Sequence, residues 1–330
     1  MRTLSSVRIG VLGAARITPM ALIRPAHTVE SIEVRAVAAR DPKRAEAFRR
    51  KHKLEQAHEC YDALINDPNI EAIYNPLPNG LHAEWTIRAL EAGKHVLCEK
   101  PFANNRTEAE QMAKAQKRTG RILMEAFHYR YHPLIERSLQ ILREGEIGDV
   151  QEIHTAMCVP LPEPGNIRYS YELGGGATMD TGCYAIHKLR TLADAEPEIV
   201  SAKAKLSSDK VDRSMRAEVR FADGRTGSLI CSLWGWPLIK IGFVVKGSAG
   251  QLRVFNSTVP QFYHRLTVKN GTGTRRERIE SEDTYTCQLR AFLKAVQTGE
   301  APITEPRDAI RNMAVIDDVY RAAGLPLRGF

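Results

Sequence analysis

The chain has 330 residues, 43% apolar and 26% charged, with 47 Lys and Arg against 39 Asp and Glu for a net charge of +8. That length favours two domains over a single hydrophobic core, and the composition is that of a soluble globular protein rather than a disordered or fibrous one. No apolar run approaches the ~20 residues of a membrane span, and basic residues dispersed among acids suit a polyphosphorylated small ligand at least as well as nucleic acid.

At the N-terminus, Arg2 and the apolar stretch behind it have the outline of an export signal. Gly10, Gly13 and Arg16 interrupt that stretch, so a cytoplasmic protein is expected. The six cysteines, Cys60, Cys98, Cys158, Cys183, Cys231 and Cys287, are scattered with no CxxC pair. This spacing fits reduced thiols in a cytoplasm better than a disulfide framework or a zinc site.

Val7 to Leu12 is a compact apolar run that ends at Gly13-Ala14-Ala15-Arg16-Ile17-Thr18, after which a helical stretch carries Met20, Leu22 and Ile23. Strand, tight turn and helix in that order present bare amides to a pyrophosphate. Gly13 fills the first position of G-x-G-x-x-G, while Ala15 and Thr18 stand at the second and third. Glu33 to Ala38 reads as the second strand, followed by Asp41 as N-cap, Pro42 as first helical residue and a helix over Lys43 to Lys51. The tip of this strand is where a dinucleotide-binding unit holds the adenosine ribose, and an acid there favours the free 2′-hydroxyl of NAD. Here Ala39 is followed by Arg40, with Lys43 and Arg44 close behind, which suits a 2′-phosphate. NADP is therefore expected over NAD, with NAD still open through a ribose contact from Asp41.

The alternation continues with a helix from Tyr61, a strand at Ala72 to Tyr74, the turn Asn75-Pro76-Leu77-Pro78-Asn79-Gly80 and a helix from His82 to Ala92. His95 to Cys98 is an apolar strand that delivers Glu99 and Lys100 to an edge, where Pro101 excludes the helical conformation for Lys100 and permits a cis bond. A helix opened by Thr107-x-x-Glu110 and a strand through Ile122 to Ala126 follow. Such a series predicts a parallel doubly wound sheet, a Rossmann domain over residues 1–126, with ligand-binding loops at the carboxyl ends of its strands.

Over residues 127–330 the pattern changes to an α+β domain. Ala217, Val219 and Phe221 alternate with Arg216, Glu218 and Arg220, Asp223-Gly224 turns the chain into Ser228 to Trp234, and further strands flank Gly247 to Gly250 and Asn270-Gly271. A mostly antiparallel open sheet is expected, buried on one face. Two closing helices carry apolar stripes, one through Leu289, Phe292, Leu293 and Val296, the other over Pro306 to Ala323. The exception is Gly174-Gly175-Gly176-Ala177-Thr178-Met179-Asp180-Thr181-Gly182-Cys183-Tyr184-Ala185-Ile186-His187. Its glycines permit close backbone approach, and on the helix behind them Asp180, Tyr184 and His187 fall on one face.

These residues resemble the Gfo/Idh/MocA family of nicotinamide-dependent oxidoreductases over nearly the whole chain. The resemblance is carried by the Gly13 turn, Tyr74 to Asn79 with His82, Glu99-Lys100-Pro101, Glu125-Ala126-Phe127-His128-Tyr129-Arg130, and the stretch from Gly174 to Tyr184. Tyrosine rather than histidine at 184 is similar to the sugar and dihydrodiol dehydrogenase branch. The resemblance implies catalysis by Lys100 and Tyr184, and beside them Asp180 is expected to orient Lys100 or the substrate. It implies dinucleotide contacts from Gly13, Ala14, Ala15, Arg16, Ile17, Arg40, Pro76, Leu77, Asn79, His82, Glu99 and Lys100, and pairing of subunits into a homodimer or higher oligomer through the open sheet. His187, Arg168 and Tyr171, around the glycine run, are candidates for substrate hydroxyls.

The chemistry expected is oxidation of a sugar, polyol or diol hydroxyl, with hydride passing to the nicotinamide while Tyr184 takes the proton. Free tyrosine ionises near ~10, so a close ammonium from Lys100 must stabilise the phenolate. No metal is required, because a fixed cation handles charge on the alkoxide. Two alternatives stand beside it: glycoside cleavage by transient oxidation and elimination with retained dinucleotide, and an NADPH-binding sensor without turnover.

Overall fold

A computed structural model describes residues 6–163 and 165–329; Arg2, weighed above as part of an export signal, lies outside them. The chain divides into two compact units, one of residues up to Ala103 with Thr107–His128 and Tyr285–Ala309, the other of Asn104–Arg106, Tyr129–Thr284 and the residues from Ile310 onward.

In the first unit six strands, β1 (Val7–Leu12), β2 (Ile32–Ala38), β3 (Gln56–His58), β4 (Ala72–Asn75), β5 (His95–Cys98) and β6 (Leu123–Glu125), form a parallel sheet in the spatial order 3-2-1-4-5-6. Ile9, Val11, Val37, Ile73, Val96 and Leu97 are each no more than 1% exposed, as expected of strands covered on both faces. A π-helical turn, Pro19–Ile23, leads into α1 (Arg24–Ala26), and α2 (Pro42–His52), α3 (Tyr61–Ile65), α4 (His82–Glu91) and α5 (Arg106–Thr119) make the crossovers. Asp41 is the N-cap of α2, its carboxylate accepting from the Lys43 amide at 2.9 Å, and Pro42 is the first helical residue.

One local expectation fails. Helix α5 begins at Arg106, so Thr107 sits within the first turn instead of capping it. The Arg106 amide is taken by the Asp317 carboxylate at 3.1 Å, an acceptor supplied from far along the chain.

The second unit opens with α6 (Pro133–Arg143) and contains β7 (Val150–Cys158), a π-helical turn at Thr178–Gly182, α7 (Cys183–Ala193), and β8 (Glu198–Ser208) to β10 (Thr226–Ser232), with β9 at Val211–Arg220. Strands β11 (Lys240–Gly247), β12 (Gly250–Phe255), β13 (Arg265–Asn270) and β14 (Gly273–Glu277) complete an eight-stranded sheet of order 14-13-12-11-7-10-9-8. All its pairings are antiparallel except β10 with β7. Ala217, Val219 and Phe221 are buried, while Arg216, Glu218 and Arg220 are exposed, so period-two alternation marks the covered face. Helix α7 lies on that face, where Thr155 Oγ1 donates to the Ala185 carbonyl at 2.9 Å.

Two helices close the chain, α8 (Thr284–Thr298) and α9 (Pro306–Ala322). The segment after α8 borders β6, where the Glu125 amide donates to the Thr304 carbonyl at 2.9 Å and Thr304 Oγ1 donates to the Glu125 carbonyl at 2.6 Å.

Candidate active site

The first unit gathers its candidates at the carboxyl ends of β1, β4 and β5. Strand order reverses between β1 and β4, which opens the crevice where doubly wound sheets bind ligands. Gly13 turns the chain there with φ +85°, its amide bonded to the Ala38 carbonyl at 2.6 Å. A Cβ on Gly13 would stand 3.0 Å from Leu77 Cδ2, so the loops after β1 and β4 close on each other and only glycine fits. Ala14, Ala15, Arg16 and Ile17 follow Gly13 in the loop between β1 and the π-helical turn. Arg40 is exposed just beyond β2.

After β4, Pro76 and Leu77 are buried and Asn79 opens a 3-10 turn, Asn79–Leu81. Asn75 braces this loop by donating to Thr86 Oγ1 at 3.0 Å and to the His82 carbonyl at 3.3 Å. His82 is wholly buried, Nε2 lying 2.7 Å from the Leu77 carbonyl and Nδ1 2.8 Å from the Pro101 carbonyl. It therefore lies between the loop after β4 and the loop after β5, donating to one of the two carbonyls as neutral imidazole and to both when protonated.

Burial outweighs the two carbonyls and lowers the His82 pKa from 6.5 to about 4. The unfolded chain takes up that proton near 6.5, so the stability from neutral His82 is complete above that pH and is lost as pH falls toward 4. At pH 5 this amounts to roughly 2 kcal/mol. His95 and His132, also held to about 4 mainly by burial, act in the same direction. Thermal melting followed from about pH 7 to about pH 5 is expected to show a falling midpoint.

At the end of β5, the Tyr74 hydroxyl donates to Glu99 Oε1 at 2.7 Å and the Lys100 amide lies 3.3 Å from Glu99 Oε2, which fixes the carboxylate. Lys100 is half-buried and its bond to Pro101 is cis.

In the second unit the glycine run is packed as its composition requires. The Gly175 and Gly176 amides donate to the Ser170 and Arg168 carbonyls at 2.7 and 2.8 Å. Gly176, at φ +136°, has no room for a Cβ, which would overlap Asp212 and stand 2.7 Å from the Tyr320 hydroxyl. Asp212 Oδ2 accepts from the Thr178 amide and hydroxyl, both at 2.7 Å, and Oδ1 faces Arg328 Nη2 at 3.3 Å. Arg328 Nε donates to the Gly175 carbonyl at 2.7 Å. This buried pair holds the start of the Tyr184 segment. Asp212→Ala leaves a buried guanidinium without its carboxylate and is expected to cost about 3–5 kcal/mol, read as a lower urea midpoint at unchanged slope.

Helical spacing places Asp180, Tyr184 and His187 on one face, but the turn from Thr178 to Gly182 is π-helical and the angular spacing changes there. Asp180 is drawn to Arg168, whose Nε lies 2.9 Å from Oδ2. Tyr184 and His187 are brought together by Tyr129: its ring centroid is 5.9 Å from that of Tyr184, and its hydroxyl bonds His187 Nδ1. Tyr171 does not join them. Its hydroxyl donates to the Leu327 carbonyl at 2.6 Å and its ring lies under Arg328. Tyr129 stands in a motif quoted above with no role assigned. Lys188, buried against the rings of Tyr129 and Tyr184, carries no signal in sequence because lysine is ordinarily a surface residue. Among the described residues no three His, Cys, Asp or Glu side chains converge to hold a metal, and no helix is long and apolar enough to cross a membrane.

The oxidoreductase family model of Gfo/Idh/MocA proteins with an NAD-binding Rossmann fold matches residues 7–127, and the Gfo/Idh/MocA C-terminal domain model matches residues 135–253. The chain belongs to this family. It is accordingly an oxidoreductase built around a nicotinamide dinucleotide. D-xylose 1-dehydrogenase (NADP(+)) 2 of Haloferax volcanii is 32% identical over 95% of this chain and 96% of its own. A dTDP-3,4-didehydro-2,6-dideoxy-alpha-D-glucose 3-reductase of Actinomadura kijaniata is also 32% identical, over 96% of each. A 3-ketoreductase from Actinomadura kijaniata, solved with NADP and TDP-benzene, superimposes with a TM-score of 0.90 at 30% identity, covering 96% of this chain and 98% of that one. The resemblance read from Gly13, Glu99-Lys100-Pro101 and the glycine run thus extends through both domains.

Proposed function

We propose that the protein is an NADP-preferring dehydrogenase of a sugar, polyol or related diol hydroxyl, with Lys100 and Tyr184 as its catalytic pair. The observation that carries this reading is the tight crevice between Gly13 and Leu77 at the strand-order reversal, in a chain whose relatives include an NADP-dependent xylose dehydrogenase and a sugar 3-reductase. The nicotinamide, when bound, accepts or returns the hydride. Tyr184 takes the hydroxyl proton, and the Lys100 ammonium donates a hydrogen bond to the reacting oxygen and stabilises its charge. The Asp180 carboxylate, held by Arg168, orients these groups, and His187, held by Tyr129, meets a neighbouring hydroxyl. Arg168 borders the substrate through the same pair; Tyr171 is left to the C-terminal segment. Glu99, fixed by Tyr74, accepts from a ribose hydroxyl.

Six unbridged cysteines support a cytoplasmic location. Exposed Trp236, Ile239, Phe262 and Tyr263, 58–79% accessible, support assembly into a homodimer or higher oligomer.

Mixing the protein with NADP and a panel of aldoses, polyols, nucleotide-linked sugars and trans-dihydrodiols, and following NADPH absorbance, tests the function. Net NADPH formation with at least one sugar-like compound is expected; tight NADPH binding with no reduction across the panel overturns it. Arg40→Ala is expected to raise KM for NADP by about 10- to 100-fold, the worth of a charge-assisted contact, with KM for NAD unchanged. Equal effects on both cofactors would remove Arg40 from the 2′-phosphate.

A further inference from the structure

Lys188 is 1% exposed on α7, and among the described residues no carboxylate is paired with it. Its ammonium donates to Thr258 Oγ1 and stands over the ring of Tyr129 at 4.9 Å and over that of Tyr184 at 5.7 Å. Thr258 also lies 3.5 Å from the Met157 thioether. The ionisable groups around it are Cys183, Tyr184 and His187 on its own helical segment and Tyr129 from the turn before α6; the nearest acid of that segment, Asp180, is paired with Arg168. Desolvation lowers the pKa of this amine from 10.5 to about 7, so the site is costly for a cation and carries no compensating ion pair.

A cation over a neutral aromatic ring is weakly attracted by its quadrupole. A phenolate spreads a full negative charge into the same ring, so the attraction rises when the phenol loses its proton, and the low-dielectric surroundings enlarge the difference.

We propose that Lys188 is a positioning residue for the proton step, a buried second cation that Thr258 holds on the rings of Tyr129 and Tyr184 and that stabilises the anionic form of Tyr184. The inference rests on the proton-accepting role given to Tyr184 and adds to it a residue of the substrate-side unit. Because the amine and the phenol interact, their protons leave in steps that belong to the pair, and the charge of one reports on the other.

The test is the pH profile of kcat/KM for NADP reduction in the full-length protein. Below about pH 7, where the Lys188 amine is charged, Lys188→Met, which preserves length and apolar contacts, is expected to lose at least about tenfold relative to the wild type, and the gap is expected to close as pH rises and the wild-type amine gives up its proton. The thermal midpoint is expected to hold or rise, as when other buried ions are replaced by apolar side chains. A ratio of variant to wild type that does not change with pH in folded Lys188→Met overturns the inference. If circular dichroism shows that Lys188→Met does not fold, Thr258→Val, which removes the hydroxyl that holds the ammonium, is read in the same way: a loss confined to low pH supports the inference and a pH-independent ratio overturns it. Turnover of Tyr184→Phe separates the two ideas. Near-normal turnover removes Tyr184 from catalysis whatever the profile gives, whereas an inactive Tyr184→Phe beside a pH-independent ratio removes only Lys188.

Discussion

Tyr184→Phe is expected to lower kcat by about 10²- to 10⁴-fold, the usual contribution of a positioned acid or base, with NADPH binding retained. The substitution removes one oxygen from a side chain that is 6% exposed and leaves the ring against Tyr129 and Lys188. Packing of α7 on β7 is therefore preserved. Steady-state NADPH absorbance reads the rate, and NADPH fluorescence titration reads the binding. A rate within a few-fold of the wild type would move the proton step to His187, which shares Tyr129 with Tyr184.

The second large effect is expected at Lys100. In the proposed mechanism Lys100→Met removes the cation that meets the reacting oxygen, and it is expected to cost kcat about 10²- to 10³-fold, the loss seen when one donor to a developing oxyanion is deleted. The Glu99 carboxylate beside it is held by the Tyr74 hydroxyl and the Lys100 amide, both of which the substitution keeps. A variant that loses KM for the sugar with kcat intact would assign Lys100 to substrate binding alone.

Much of the fold is legible in local signals. The run from Val7 to Leu12 is β1 to the residue, and Asp41-Pro42 starts α2 because an N-cap acid and a first-turn proline act within one turn of the chain. Where the deciding partner lies elsewhere, local reading fails. Thr107 loses the cap to Asp317, 211 residues away from Arg106. The π-helical turn at Thr178–Gly182 is not visible in a 3.6-residue pattern, since it begins where Asp212 takes the Thr178 amide and hydroxyl. An apolar stripe such as Leu289, Phe292 and Val296 marks a core helix but not which core, and residues 285–309 return to the first unit. In the candidate site, Lys100, Asp180 and Tyr184 are proposed from their motifs, while the Arg168–Asp180 pair, the Tyr129 bridge and the buried ammonium of Lys188 are matters of packing that no motif announces.

Whether Lys100 and Tyr184 serve one step is decided most directly by kcat/KM for the two single variants beside Lys100→Met/Tyr184→Phe, on one sugar-like compound that reduces NADP. Groups that act as a unit lose together, so the double variant is expected to fall little below the worse single one. Losses that multiply would mean that amine and phenol work independently, and would contradict the pairing on which the proposed mechanism stands.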